Sequence, residues 1–510
     1  MTRFPIIPHP GLGVGLDLPW GSKFGMIRDP VRGDGPSERV RAFLKKQPEM
    51  THFFASWQPR NRNRLDPTDY FNALDTLFDL IPSDCIRALH QTTFNLGGAG
   101  TYDRGVVVDF TNQLIERYNL AWVNEDLGIW SLGGKQLPYP IPPYPTDAGL
   151  DTAIANTRFV QSRLTAPLLV EFPGFSNNTT LFDGPWHAYD FFREVIEQSD
   201  SPATLDTGHL LSYQWLLGKR GEALFEDLER LPLTACFEIH LSGCQIVGER
   251  FIDAHHGILL DEQIEMLERL LERCPNVRAI TYEDPRFDEK GSLIPKAQPG
   301  FDRLKDCVGK WKPQDSTQVP NVARRAVQLS LAPTEDHFTE ALHAQCTTDT
   351  QSEKTLGTPM LAAFHSLSEQ IHRGLLTHTH AGCGSLRERF PQTIAAWRTS
   401  NPEDEQLFEL SKAFSKSDAH STYVELAAGG PGTCIEEAFF QFCCANRIGN
   451  QTVLEEEFLS AMMRALATSP EPAFSIPASI KRSSNDYIAV SSKGIVHAIS
   501  KGRIIRGRLP

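Results

Sequence analysis

The chain has 510 residues, of which 40% are hydrophobic and 22% are charged, and its formal net charge is −13. It is too long for one ordinary core, so we expect two domains or a barrel with an appendage, and no apolar run is long enough to cross a membrane. The acidic balance argues against a nucleic-acid partner, since such proteins neutralise phosphates with Lys and Arg.

Short apolar runs in the first 290 residues predict eight buried strands. They lie at 13–18, 52–57, 85–94, 120–127, 166–172, 201–207, 235–241 and 277–283. Between several of them, apolar residues repeat at helical spacing, as in 151–164 and 259–274. Eight strand–helix units of this length predict an α/β fold, a TIM (β/α)8 barrel. A doubly wound sheet is the alternative, but the Gly-x-Gly-x-Gly run at 11–15 lacks the spacing of a phosphate-binding turn.

The remainder of the chain has a different pattern. Residues 296–320 are rich in Pro, Lys and Asp and predict a linker between a catalytic domain, 1–295, and an accessory domain, 321–510. The accessory domain is expected to be mainly helical, with a β-hairpin around Ser492-Lys493-Gly494. Its helical patterns lie at 321–331, 336–346, 360–376, 386–400, 436–449 and 453–467.

Ten cysteines are scattered along the chain, and none forms a Cys-x-x-Cys pair. The N-terminal stretch does not resemble a signal peptide, so we expect reduced thiols in a cytoplasmic protein. Cys443 and Cys444 lie in an apolar helical pattern and are expected in a core. The pattern His378-x-His380 with Cys383 lies in a Thr-rich segment, which favours solvated side chains.

Strand after strand ends in an acid or an imidazole. The residues in this position are His90, Glu125, Asp126, Glu171, Asp206, His209, His240, Asp253, His255 and Glu283. In a TIM barrel these positions converge at one face. So many acids would repel each other in a low-dielectric pocket, and metal ions relieve this repulsion. The sequence therefore predicts a multinuclear metal site of oxygen and nitrogen ligands.

The order Glu, Asp-x-x-His, His, Asp-x-His, Glu is similar to that of the xylose-isomerase-like TIM-barrel superfamily. Longer stretches resemble the multinuclear non-heme iron-dependent oxidases, a family that includes the oxidase of methanobactin biosynthesis. These stretches are GVGLDLPWG at 13–21, residues 136–177 and residues 237–267. The resemblance covers about residues 10–290 and leaves out the C-terminal third.

The resemblance implies three metal positions. Glu171 would bridge the first and second; His90 and Asp126 would complete the first. The other ligands would be Asp206, His240 and Glu283 at the second position, and His209, Asp253 and His255 at the third. Glu171, Asp206, His240 and Glu283 would surround the reacting centre as catalytic residues. Asn124, His256, Tyr282 and Asp284 are candidates for supporting contacts.

The family implies two or three mixed-valent iron ions and dioxygen as co-substrate. The reaction would oxidise a side chain, such as that of cysteine, in a ribosomally made peptide during natural-product biosynthesis. Members work with a partner protein that binds the precursor. Residues 321–510 are expected to supply that part, or alternatively a dimerisation or stabilising domain.

Two departures from the family pattern concern the first position. The family commonly has His where this chain has Asp126, and Glu-Asn where it has Glu171-Phe172, which predicts a weakened, altered or empty first site. Glu125 is an alternative ligand to Asp126. Two other functions fit the ligand order: a zinc phosphodiesterase like endonuclease IV and a sugar isomerase. An altered first site would instead fit a non-catalytic metal-bound module that binds a peptide.

Overall fold

Eight parallel strands close into a barrel. A computed structural model describes residues 4–5, 7, 9–17, 38–57, 71, 74–75, 77–79, 81–98, 104–132, 135–175, 185–247, 250–285, 287–288, 290–314, 376, 385–397, 403–415, 417–421, 434–467, 476–483, 486–500 and 503–508. The strands are β1 (Gly11–Asp17), β2 (His52–Trp57), β3 (Ile86–Gln91), β4 (Val123–Asp126), β5 (Ile129–Leu132), β6 (Lys135–Ile141), β7 (Leu168–Glu171), β8 (Ala203–Asp206), β9 (Cys236–Leu241), β10 (Cys244–Val247), β11 (Arg250–Asp253) and β12 (Ala279–Glu283). The closed order is β1-β12-β9-β8-β7-β4-β3-β2, while β5–β6 and β10–β11 form separate antiparallel pairs. The predicted TIM barrel is confirmed, and each of the eight predicted strands supplies one barrel strand.

Helices separate most of the barrel strands. They are α1 (Glu38–Lys46), α2 (Arg104–Tyr118), α3 (Asp147–Gln161), α4 (Ala188–Ser199), α5 (Thr207–Leu216), α6 (Asp261–Arg273) and α7 (Gln298–Lys310). The helix predicted at 151–164 is α3, which begins four residues earlier because Thr146 caps it by accepting the Gly149 N–H. In α6, Ile264, Leu267 and Leu271 recur at helical spacing and are buried in the barrel core.

The prediction of a linker over 296–320 is wrong in its first half, where α7 lies. Pro299 occupies the first turn, a position that proline tolerates. Phe301 and Leu304 lie three residues apart on one face, and both are fully buried in the barrel core. The Pro- and Lys-rich composition around this short apolar stripe favoured the prediction of a linker. Because the stripe is buried, the barrel packing extends beyond the predicted boundary at residue 295.

The glycine run on β1 makes room for rings inside the barrel. A Cβ on Gly13 would lie 2.2 Å from the ring of His52, and one on Gly15 would lie 2.1 Å from the ring of Phe54. Both rings are fully buried. The run therefore serves packing. Phe54 in turn contacts the rings of His90 and His240, with centroids 5.4 and 5.1 Å away.

A second apolar core lies within residues 376–504. Its helices are α8 (Leu386–Arg389), α9 (Pro391–Ala396), α10 (Glu403–Ser415), α11 (Asp418–Ser421), α12 (Ile435–Ala445) and α13 (Gln451–Ala467). Cys443 is fully buried in this core and Cys444 packs against it. The predicted helices over 321–331 and 336–346, most of 360–376, and the His378-x-His380 and Cys383 pattern lie outside the described residues.

The predicted C-terminal hairpin is present as β14 (Asp486–Val490) and β15 (Ile495–Ser500), but it is the centre of a larger sheet. The strands β13 (Lys481–Ser483) and β16 (Arg503–Arg508) flank it, giving the order β13-β14-β15-β16. Among the described helices, none combines the length and hydrophobicity that a membrane crossing needs.

Candidate metal centre

The nine residues predicted as metal ligands all lie in the described chain and gather at the carboxyl ends of the barrel strands. Seven are buried, and Asp253 and His255 are partly exposed. They form four overlapping groups, in each of which the ligand atoms lie within 4.8 Å of one another. The groups are Glu171/Asp206/His240/Glu283, called the central group below; His209/Asp253/His255, called the outer group; His90/His240/Glu283; and Asp126/Glu171/His209. Such clusters have the donor atoms to hold metal ions.

Glu171, the last residue of β7, lies at the middle of these groups. Its Oε2 is 2.9 Å from His90 Nε2 and 3.1 Å from His240 Nδ1, and its Oε1 is 3.5 Å from His209 Nδ1. Asn124 donates to the same Oε2 at 3.0 Å, so this supporting candidate does contact a candidate ligand. A carboxylate in this position is suited to bridging two ions.

Asp206 ends β8 and caps α5. Its Oδ1 accepts the backbone N–H of His209 at 2.8 Å, whereas its buried Oδ2 has no hydrogen-bond partner. His240 Nδ1 is also fully buried and makes no hydrogen bond of good geometry, although Glu171 Oε2 lies 3.1 Å away. Buried polar atoms without partners are costly, and an ion in the central group would satisfy both. The donor set therefore fits a metal.

Gly208 provides space between Asp206 and His209. Its φ lies outside the positive range, so the backbone conformation does not require glycine here. A Cβ here would lie 2.6 Å from Cys244 Sγ and 3.0 Å from Asp206 Oδ1. The glycine therefore lets α5 start against the buried Cys244.

We expect Gly208→Ala to destabilise the protein by about 1–3 kcal/mol through this overpacking. Urea unfolding of the chelator-treated protein measures the loss. The double variant Gly208→Ala/Cys244→Ala should recover part of it, because the clashing sulfur is gone. Equal stability of Gly208→Ala and wild type would contradict the close packing.

The outer group opens toward solvent. Asp253 Oδ2 lies 3.1 Å from both His209 Nε2 and His255 Nε2, while Ser242 donates to its Oδ1 at 2.7 Å. Asp284 Oδ2 is 2.9 Å from His255 Nδ1. The His255 side chain is 39% exposed, compared with 0% for His240. The outer group is therefore more accessible to solvent than the central group.

The structure distinguishes between the neighbours Glu125 and Asp126. Glu125 accepts the backbone N–H groups of Thr93, Phe94 and Asn95 at 2.7–3.0 Å, so it holds the loop after β3. Asp126 instead lies 3.9 Å from His90 Nε2 and 3.8 Å from His209 Nδ1. Successive residues of a strand face opposite sides, so of the two only Asp126 shares the face of Asn124.

The ligands predicted for the first metal position fall into two different groups of the structure. His90 groups with His240 and Glu283, whereas Asp126 groups with Glu171 and His209. The departures at Asp126 and Phe172 concern this same part of the site. Phe172 contacts the site through its backbone, because its carbonyl oxygen lies 2.7 Å from His209 Nδ1. A proton on that nitrogen leaves Nε2 free to ligate.

The remaining candidates for supporting contacts, Tyr282 and His256, form hydrogen bonds with the backbone of residues 257–258. The Tyr282 hydroxyl donates to the carbonyl of Gly257. His256 Nδ1 accepts the Ile258 N–H at 3.1 Å.

One buried acid was missed from the sequence. Glu238 lies two residues before His240 on β9, is fully buried, and its Oε1 is 3.2 Å from His240 Nε2. The Glu-x-His spacing on a predicted strand was the available signal, because it places both side chains on one face.

Burial and mutual charge shift the titration of these groups. Burial lowers the pKa of His90, but the hydrogen bond and charge of Glu171 outweigh it and raise the pKa to about 9. Burial raises the pKa of Asp206 to about 6 and that of Glu283 to about 8. Burial also opposes ionisation of Glu171, yet His240 and His90 hold its pKa well below the usual value. The metal-free cluster thus retains protons that bound ions would displace.

Comparison with known proteins gives one family. The sequence model of the RiPP precursor modification enzymes MbnB/TglH/ChrH matches residues 67–297; RiPPs are ribosomally made peptides that are modified after translation. No curated protein sequence matches the chain.

Similar solved structures include a xylose isomerase domain protein of Salmonella typhimurium LT2, at 13% identity and TM-score 0.34, covering 60% of this chain and 99% of that one. An L-ribulose 3-epimerase has 15% identity and TM-score 0.33, covering 66% and 98%. A D-allulose 3-epimerase of Methylomonas sp. has 12% identity and TM-score 0.33, covering 59% and 99%.

Proposed function

Because residues 67–297 match the sequence model of the RiPP precursor modification enzymes MbnB/TglH/ChrH, we propose that this protein is an iron- and dioxygen-dependent oxidase of a precursor peptide. The proposed ligands are the nine clustered residues, with Glu171, Asp206, His240 and Glu283 around the reacting centre. The single observation that carries the proposal is this buried cluster of carboxylates and imidazoles within the matched segment.

The donor set supports iron. Five carboxylates and four imidazoles supply only oxygen and nitrogen donors of the hard-to-borderline kind. The thiol of Cys244 contacts Asp253 Oδ1 at 3.8 Å, whereas the two imidazoles contact Oδ2. Iron, when bound, would supply the redox chemistry by which dioxygen oxidises a substrate side chain.

The chain's own residues would organise that reaction. The exposed His255, held at Nδ1 by Asp284, places the outer group where a peptide side chain can enter. The central group lies deeper, above the fully buried ring of Phe54, and is sheltered from water. Asn124 fixes the orientation of Glu171 between the two groups. Together these contacts separate a substrate-facing region from a dry interior.

The function is tested by oxygen uptake with a candidate Cys-containing peptide encoded beside the gene. We expect iron-loaded protein to consume dioxygen only when the peptide is present, and mass spectrometry to show a changed peptide mass. The zinc-loaded protein serves as the control and should leave the peptide unchanged. Hydrolysis of a phosphodiester or isomerisation of a sugar by the zinc form, with an inert iron form, would contradict the proposal.

We further propose that the C-terminal sheet docks an acidic, partly apolar segment of the precursor. Residues 481–508 contain seven Lys and Arg and one Asp, although the whole chain is acidic. Ile488, Val490 and Ile505 are 45–48% exposed on the face opposite the buried Tyr487 and Ala489. The register aligns Ile488, Ala498 and Ile505 in one row. Exposed aliphatic side chains rimmed by positive charge favour a peptide over RNA, which prefers aromatic platforms.

We expect Ile488→Asp/Ile505→Asp to raise the KM for the peptide about tenfold or more, because apolar contact is lost and like charge is added. The kcat and the iron content should stay unchanged. Val106→Asp is the matched control, since Val106 is 44% exposed on the barrel helix α2. A changed oligomeric mass with an unchanged KM would instead support the alternative, a dimerisation domain.

A further inference from the structure

Glu238 lies one layer below the central group inside the barrel. Its Oε1 is 3.2 Å from His240 Nε2, and its Oε2 accepts the indole N–H of Trp122 at 2.9 Å. Thr281 also donates its hydroxyl to Oε1. All four side chains are fully buried, so the carboxylate is directed at His240 by its surroundings.

The hydrogen bonds below Glu238 form a chain in which each donor lies farther from the carboxylate than its acceptor. The Thr281 hydroxyl donates to Glu238, so its oxygen must accept from His52 Nε2, 2.9 Å away. His52 then carries its proton on Nε2, and its Nδ1 is an acceptor for the Thr51 hydroxyl, which lies 2.9 Å from Nδ1 and 3.3 Å from its other acceptor, the Leu12 carbonyl. Burial lowers the pKa of His52 to about 4, which is consistent with a neutral ring. Glu238 thus receives donors from below and offers acceptor capacity to His240 above.

His240 has two possible tautomers in this environment. A proton on Nε2 would face Glu238 and leave the Nδ1 lone pair toward Glu171 and Glu283, whose oxygens are 3.1 and 3.7 Å away. A proton on Nδ1 would face Glu171, and Nε2 would then accept from the Asn124 amide at 3.4 Å. Either proton would face a carboxylate at a similar distance, 3.2 Å to Glu238 or 3.1 Å to Glu171, but Nδ1 is the nitrogen that faces the Glu171 and Glu283 oxygens of the central group. An ion in that group needs the Nδ1 lone pair, which leaves the proton on Nε2, where Glu238 accepts it.

We propose that Glu238 is a positioning residue that keeps the His240 proton on Nε2, so that Nδ1 ligates the ion of the central group. This inference rests on the proposed metal site. A carboxylate behind a ligating imidazole fixes the ring and strengthens the nitrogen donor. The carboxylate is held in place by hydrogen bonds from Thr281 and Trp122. His52 supports this arrangement through its hydrogen bond to Thr281.

The tautomer is measured on the wild-type protein loaded with zinc, which is diamagnetic. With 15N-labelled histidine, the two ring nitrogens of His240 are distinguished by NMR, and the signals are assigned by their loss in His240→Asn. We expect a protonated Nε2 and a metal-bound Nδ1. A metal-bound Nε2, or a proton on Nδ1, would overturn the proposal without any variant of Glu238.

The second measurement compares zinc and ferrous affinities by chelator competition. Glu238→Gln keeps the side-chain size, and we expect it to weaken binding at the central group about 10- to 100-fold. Glu222→Gln is the control: it makes the same charge change at a site where the side chain is 81% exposed. Full affinity in Glu238→Gln would overturn the role of Glu238 alone, whereas a wild type that binds no metal would overturn the proposed function as well.

Discussion

Asp206→Asn is expected to empty the central group of metal and to abolish peptide oxidation, while the fold stays intact. The reason is that Asp206 has two tasks on two different oxygens. Oδ1 caps α5 through the His209 N–H, and Oδ2 is the buried atom without a partner. Asparagine also caps helices well, but its neutral amide is a poor substitute for an anionic ligand.

Asp206→Ala separates the two tasks. In chelator, where metal does not contribute, this variant should be less stable than Asp206→Asn by about 1 kcal/mol, the usual cost of losing a helix cap. Urea unfolding followed by circular dichroism measures this difference, and metal analysis of the same samples measures ligation. Full metal loading in Asp206→Asn would refute the assignment of Asp206 as a ligand.

Glu171→Gln is expected to cost more than one ion per chain. Glu171 contacts His90 and His240 and belongs both to the central group and to the group with Asp126 and His209. Losing its charge therefore removes a shared ligand. It also leaves the buried imidazoles of His90 and His240 without the carboxylate charge that they contact. Activity should fall to the background rate.

His255→Asn is the matched comparison for Glu171→Gln, because His255 belongs only to the outer group. It should cost at most one ion. Iron and protein are quantified in the same sample, and Mössbauer spectra show which sites remain. An equal loss of metal in the two variants would show that Glu171 does not bridge.

Much of this site was predictable because barrel topology determines where strand ends meet. Apolar runs locate the strands, and parallel connection brings Glu171, Asp206, His240 and Glu283 to one face whatever the loops do. The family resemblance proposes ligand sets for the metal positions. The structure brings the nine residues together, and their roles as ligands stay predictions.

The remainder depended on features that a linear pattern does not contain. Both Glu125 and Asp126 lie at the end of a predicted strand, so either one is a candidate ligand by position. Only the register of β4 decides which one faces the interior. Glu238 was missed because the depth of a residue inside the barrel follows from strand stagger. The helix α7 was missed because only Phe301 and Leu304 are buried in it, among Lys and Asp.

The central claim is tested most directly by quantifying metal in the full-length protein purified anaerobically without chelators. The account predicts two or more iron ions per chain, with little zinc, and loss of the central ion in Asp206→Asn. Stoichiometric zinc without iron, or a folded protein that takes up no metal from ferrous solution, would contradict it.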